Sequence, residues 1–186
     1  MEQINPNGPE HTVSNVDRSR RTFVDYIERT RAHYLIEGFN NPYRWSYFDD
    51  VPFTPMAKPA REARIALITT AAPYQPDKGD QGPHAPYNND AKFQDVYTMP
   101  VEPPPDLRIS HIGYDRANTV PEDINAYFPL AQMQEFVRRG TIGAIPPRFY
   151  AVPTLRSQRK TIEVDAPAIL EWAREDGVDA ALIVGV

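Results

Sequence analysis

The chain has 186 residues, of which 41% are apolar and 24% charged, the balance of an ordinary globular protein. Its net charge of −5 disfavours a nucleic-acid partner, whose phosphates reward clustered Lys and Arg. It has no cysteine, which excludes disulfides, thiolate metal sites and cysteine catalysis within these residues. Twenty prolines against nine glycines imply stiff, extended connections. The longest apolar runs, 65–68 and 180–186, are far too short to span a membrane. Residues 1–6 carry neither a basic nor an apolar leader signal, so the expected location is the cytoplasm.

Two parts are expected: a helical, aromatic-rich arm over 1–60 and a domain over 61–186. In the arm, residues 16–37 have helical spacing, with Phe23, Ile27 and Tyr34 on one face. Arg18, Arg20, Arg21, Arg29 and Arg31 occupy the rest, as a solvated or subunit-facing surface or as an anion site. Gly38 closes the helix. Tyr43, Trp45, Tyr47, Phe48 and Phe53 then either pack the arm on the domain or wall a pocket.

Residues 63–70 read as the first strand, short, apolar and ending in hydroxyls. Residues 71–106 show no periodicity and many prolines, as in a functional or disordered loop. Residues 107–112 are the second predicted strand. A helix is expected over 130–139, with Leu130, Met133, Phe136 and Val137 inward and Gly140 as its cap. Residues 149–152 form a short third strand, held short by neighbouring prolines. Asp165 is placed to cap a helix running to Asp176, and Gly177 ends it. Residues 178–184 then read as a strand buried on both faces. Alternating strands and helices predict an α/β fold, an open, mostly parallel sheet with flanking helices.

No G-x-G-x-x-G, Walker A, H-E-x-x-H or G-x-S-x-G motif occurs, so no nucleotide cofactor or metal has sequence support. Polar residues at the carboxyl ends of predicted strands remain. Thr69 and Thr70 either hold a small anion or satisfy local backbone. His111, followed by Tyr114, Asp115, Asp123 and Asn125, is the general acid–base candidate, with Asp115 or Asp123 to orient it. The same His with a carboxylate also suits a hydrolase or lyase. His84, in the proline-rich loop, is a weaker binding candidate, and His11 and His33 read as surface residues.

Over about residues 61–186 the chain resembles selenoprotein B of glycine, sarcosine and betaine reductase and the related D-proline reductase subunit. Residues 65–71, 109–115, 122–130, 140–143 and 177–182 carry the resemblance through their order and spacing. It implies reductive cleavage of a carbon–nitrogen or similar bond in a small amine-bearing acid. In that picture His111 and Asp123 are catalytic, and Thr69, Thr70, His84, Asp115 and Asn125 contact substrate. Electrons would come from a thiol protein, and further subunits or a homo-oligomer are implied. The family's attacking selenocysteine or cysteine follows the strand equivalent to 178–186. It is therefore expected beyond Val186, with the chain cut at a UGA codon read as stop. The rival expectation is a non-catalytic ligand-binding or partner subunit.

Overall fold

The computed structural model describes residues 32–38, 53–86, 88–109, 120–153 and 157–185. The chain divides into two compact units, Met1–Val51 and Pro52–Val186, whereas the sequence suggested a boundary at 60/61. Of the first unit, residues 32–36 are helical and Gly38 follows at a φ of 89°. The remainder of the arm helix, its arginines and Tyr43 to Phe48 lie outside the described residues. Phe53, in the second unit, is 89% exposed.

In the second unit the strands are β1 (Ile65–Thr69), β2 (Ala72–Pro73), β3 (Tyr97–Pro100), β4 (Leu107–Arg108), β5 (Arg148–Ala151) and β6 (Ala180–Val184). Four form one sheet in the order β3-β5-β1-β6. β1 runs parallel to both β5 and β6, and β3 is antiparallel to β5. This is the α/β architecture expected, though one predicted loop and one predicted strand differ. Residues 71–106 are not without strands, because β2 and β3 lie among them. The strand expected over 107–112 reaches only Leu107–Arg108 and pairs antiparallel with β2, outside the main sheet.

Helix α1 (Leu130–Arg138) lies between β1 and β5 in the chain. It ends as predicted: Gly140 adopts φ 69°, Gly140 N–H donates to Val137 O and Thr141 N–H to Phe136 O. Leu130 and Met133 are buried and Val137 packs beside them, but Phe136 is 42% exposed. Phe136 follows Leu130 by six residues, which turns it away from the face shared at offsets of three and seven. Between β5 and β6 the chain is helical from α2 (Gln158–Lys160) through a π-helical turn (Thr161–Asp165) into α3 (Ala166–Glu175). Ser157 caps this run, accepting from Lys160 N–H. Asp165 makes no cap bond, because the helix has already begun upstream.

The strand pleat sends alternate residues to opposite cores. Leu67, Phe149 and Ala151 join Leu130 and Met133 under α1. Ala66, Ile68 and Tyr150 meet Ile169 and Trp172 of α3. Phe149 is fully buried and meets Phe128 edge-on at 4.7 Å. The first core thus carries most of the aromatic burial. β6 departs from expectation, since Leu182 and Ile183 are 43% and 68% exposed. An apolar composition predicts a buried strand only where other elements cover it, and among the described residues only the ends of this one, Ala180 and Val184, are half-buried.

Candidate functional site

The parallel strands visit β1, then β5 on one side, then β6 on the other. The connection from β1 leads to β5 on one side, and the connection from β5 crosses back past β1 to β6. The carboxyl ends of β1 and β6 lie side by side, at the end of the sheet where open α/β folds hold their ligands. Thr69 stands opposite Val184 at that end. The Thr69 side chain is turned inward. It is fully buried; its hydroxyl donates to Tyr127 O at 2.7 Å and accepts from Ala71 N–H at 3.1 Å. Of the two roles open to it in the sequence, the geometry gives it the local backbone one. Thr70 is half-buried beside it. Replacing Thr69 with valine keeps shape but strands two buried backbone groups. A loss of roughly 2 kcal/mol is expected, readable as a melting temperature several degrees lower.

Tyr127, anchored in this way, lines a cleft of ≈ 200 Å³. Three segments supply its surface: residues 81–83, residues 106–109, and Pro121, Glu122, Ile124 and Tyr127. The first is held by Gln81, which is 3% exposed. Its amide accepts from Gln75 N–H at 2.9 Å and donates to Gln75 O at 2.6 Å, closing a turn in the proline-rich stretch. In the second, the β2–β4 ribbon presents Arg108. Its Nε and Nη2 donate to the two Asp106 oxygens at 2.7 Å each, and its guanidinium lies 5.1 Å from the Tyr74 ring centroid. The bond to Asp106 raises the Arg108 pKa further, so it is a fixed cation.

The third segment carries the sequence candidates. Asp123 accepts from Asn125 N–H and Nδ2–H, both at 2.9 Å, and so caps the 3₁₀ turn Ile124–Ala126. That turn delivers Ile124 and Tyr127 to the cleft. Asn125 Oδ1 is buried and has no hydrogen-bond partner among the described residues. His84 Nε2 meets Glu122 Oε1 in an exposed pair that joins the loop after Pro83 to the third segment. The Glu122 carboxyl is held below its ordinary range by its own backbone N–H, and also by His84. Burial raises the pKa of the Tyr127 phenol, whose hydroxyl donates to Leu107 O at 3.3 Å.

None of the described predicted site residues lines this cleft; His84, Asp123 and Asn125 are chain neighbours of the lining residues Pro83, Glu122 and Ile124. His111 and Asp115, with Tyr114, lie outside the described residues; Ile109 and Pro121, on either side of that stretch, both line the cleft. The sequence reading missed Asp106, Arg108 and Glu122. Opposite charges two apart in a strand share a face, and that spacing of Asp106 and Arg108 was the available signal. Among the described residues no cluster of His, Asp and Glu suits a metal ion, and no helix is long and apolar enough to cross a membrane.

A family model described as glycine/sarcosine/betaine reductase selenoprotein B matches residues 13–186. The D-proline reductase subunit gamma of Acetoanaerobium sticklandii is 35% identical over 79 residues, 42% of this chain and 32% of the relative. The match thus spans about a third of that relative's length. No solved structure gives a significant match.

Proposed function

Since the chain belongs to the glycine/sarcosine/betaine reductase selenoprotein B family, we propose that it forms the substrate-holding part of a reductase that cleaves a C–N or similar bond in a small amine-bearing acid. The observation that carries this reading is the charged cleft lined by Tyr127, whose carbonyl is bonded to Thr69 at the carboxyl end of β1. Cleaving a C–N bond reductively consumes two electrons and two protons, giving C–H and N–H, while a dithiol becomes a disulfide. The electrons come from a thiol protein. The attacking selenium or sulfur is not among these 186 residues, which contain no cysteine. A redox residue following β6 would lie just past the carboxyl end of that strand, beyond the Thr69–Val184 pair. His111 remains the candidate acid–base group, and Asp123 with Asn125 shape the loop beside it.

Exposed Leu182 and Ile183 support a second element of the proposal. Parallel strands are normally covered on both faces, so further polypeptide, of this chain or another subunit, completes the sheet at β6. The rival reading, a subunit that binds without turnover, has the same cleft but no thiol requirement. A hydrolase or lyase using His111 would likewise need no reductant.

The test reads the codon after Val186 and then assays the encoded full frame with a dithiol and the amine-bearing acids. Selenocysteine or cysteine just after β6, with dithiol-dependent amine release, is the expected result. Turnover without reductant would overturn the reductase reading, and binding without any turnover would leave the non-catalytic subunit.

A further inference from the structure

We propose that Lys160 is a two-position latch at the carboxyl end of the sheet. It fastens the segment before β3 to the helical run after β5, and it frees that segment by turning its ammonium inward onto the buried carboxylate of Asp165. The latch stands on the fold alone, and its failure would leave the reductase reading untouched.

The helical run supplies both groups. Two residues five apart in an α-helix lie about 140° from one another around the axis. Lys160 and Asp165 are brought to one side by the π-helical turn between them, after which Ala166 N–H reaches back to Thr161 O. The same turn leaves Ile162 and Val164 62% and 53% exposed, so apolar burial does not account for it. It carries Asp165 inward to 2% exposure, where Oδ1 has no hydrogen-bond partner among the described residues. The Lys160 ammonium stands 4.0 Å from that oxygen.

The outer position is the one occupied. Lys160 Nζ donates to Gln94 O and, at 2.8 Å, to Asp95 Oδ1. Tyr97, which follows this segment, pairs with Ala151, itself in register with Thr69 of β1. The latch therefore sits at the end of the sheet where open α/β folds hold their ligands. Gln75 Nε2 donates to Ala91 O at 2.8 Å, which ties the same segment to the loop whose residues 81–83 line the cleft.

The two positions are close in free energy. Asp95 is 86% exposed, and an ion pair in water contributes little. Asp165 attracts more strongly, because a buried carboxylate oxygen without a partner is the more unfavourable group. Reaching it gives up the charge-assisted bond to Gln94 O. A shift of about 1 Å brings Nζ within hydrogen-bond range of Asp165 Oδ1. Three donors on a rotatable stem let lysine make that exchange while the helix stays in place.

Hydrogen exchange of the amides of residues 94–98, in the full 186-residue chain, reads the latch, since local opening governs exchange under native conditions. Asp95→Asn removes the outer charge and is expected to speed exchange there about two- to fivefold. Asp165→Asn removes the inner charge and is expected to slow it about five- to tenfold. Lys160→Met is expected to speed it at least about tenfold, and adding Asp95→Asn to Lys160→Met to change nothing further. A fixed brace has no inner position, so with it Asp165→Asn would leave exchange unchanged or raise it. Exchange moving the same way in both aspartate variants, an Asp95→Asn effect that persists without Lys160, or rates all within about twofold of wild type would each overturn the latch. If Asp165→Asn does not fold, the Lys160 ammonium signal in NMR decides, identified by its absence in Lys160→Met. Its protons are expected to exchange with water more slowly in Asp95→Asn, as the ammonium moves inward; unchanged or faster exchange overturns the latch.

Discussion

Replacing Gly143 with alanine is expected to destabilise the protein by about 3 kcal/mol, the upper end of overpacking effects. The cause is space rather than backbone conformation. A Cβ there would lie 2.7 Å from the Glu62 carbonyl carbon, 2.9 Å from Ala63 O and 3.0 Å from Ala63 N. All three are backbone atoms of the 3₁₀ turn Ala60–Glu62 and its cap, so no side chain can swing aside. The same turn accepts hydrogen bonds from Gly143 N–H, at 3.0 Å from both Ala60 O and Ala63 O. Any shift that relieves the clash therefore also breaks the bonds that lead the chain into β1. Gly140→Ala is the internal control. Nothing lies within 4 Å of its Cβ position, but its φ of 69° is left-handed. Its cost is the conformational one, about 1 kcal/mol. Thermal melts should rank Gly143→Ala well below Gly140→Ala, with the former lowered by roughly 6–12 °C. Equal melting temperatures would mean that the 60–63 turn yields easily and does not brace β1.

The elements legible in the sequence are those fixed by local chemistry. β1, β5, α1 and α3 are apolar runs bounded by Gly, Pro or charge, and both helices end on a left-handed glycine, Gly140 and Gly177. β3 was not legible, since Tyr97-Thr98-Met99-Pro100 carries no alternation of its own. It exists because β5 offers an edge. Thr98 Oγ1 donates to Phe149 O at 2.8 Å, and Pro100 is tolerated because an edge strand can do without one donor. The exposure of β6 was illegible for the converse reason: burial depends on what packs against a strand, not on its composition. At the site, Asp123 and Asn125 drew notice as polar residues after a strand, and the structure places them in the cap and body of the turn that carries Ile124 and Tyr127. Arg108 was passed over as a strand residue. Its chemistry comes from a two-residue ribbon that only the tertiary fold creates.

The second large effect belongs to the amino ends of the same strands, away from the cleft. Arg148, which opens β5, donates from Nε to Asp176 Oδ2 at 2.7 Å and from Nη2 to Glu175 Oε2 at 2.7 Å. The Tyr150 hydroxyl donates to the same Asp176 oxygen at 2.6 Å, and Arg64 Nη1 reaches the Asp176 carbonyl at 2.5 Å. The Asp176 side chain is 12% exposed and Arg148 26%. This network ties the end of α3 to the start of β5 and β1. Arg148→Met is expected to cost about 3 kcal/mol, because it leaves a mostly buried carboxylate short of its main partner. Asp176→Asn should cost somewhat less, since the amide can still accept from Tyr150. The two differ from a packing defect in their pH dependence. Burial pushes the Asp176 carboxyl up, but the bonds from Arg148 and Tyr150 outweigh it and hold the pKa below its ordinary value. A depressed native pKa gives stability that is complete above the unfolded value, about 3.9, and is lost as pH falls through the folded one. The wild-type melting temperature should therefore fall steeply below about pH 4, and Asp176→Asn should fall less. A residual slope remains from Asp179, whose pKa is lowered chiefly by Lys58 and also by Arg64 N–H. The stability gap between wild type and Asp176→Asn should be widest near neutral pH and narrow towards pH 2. A gap that stays constant across that range would assign the loss to packing and leave the ion pair without a part in holding α3 to the sheet.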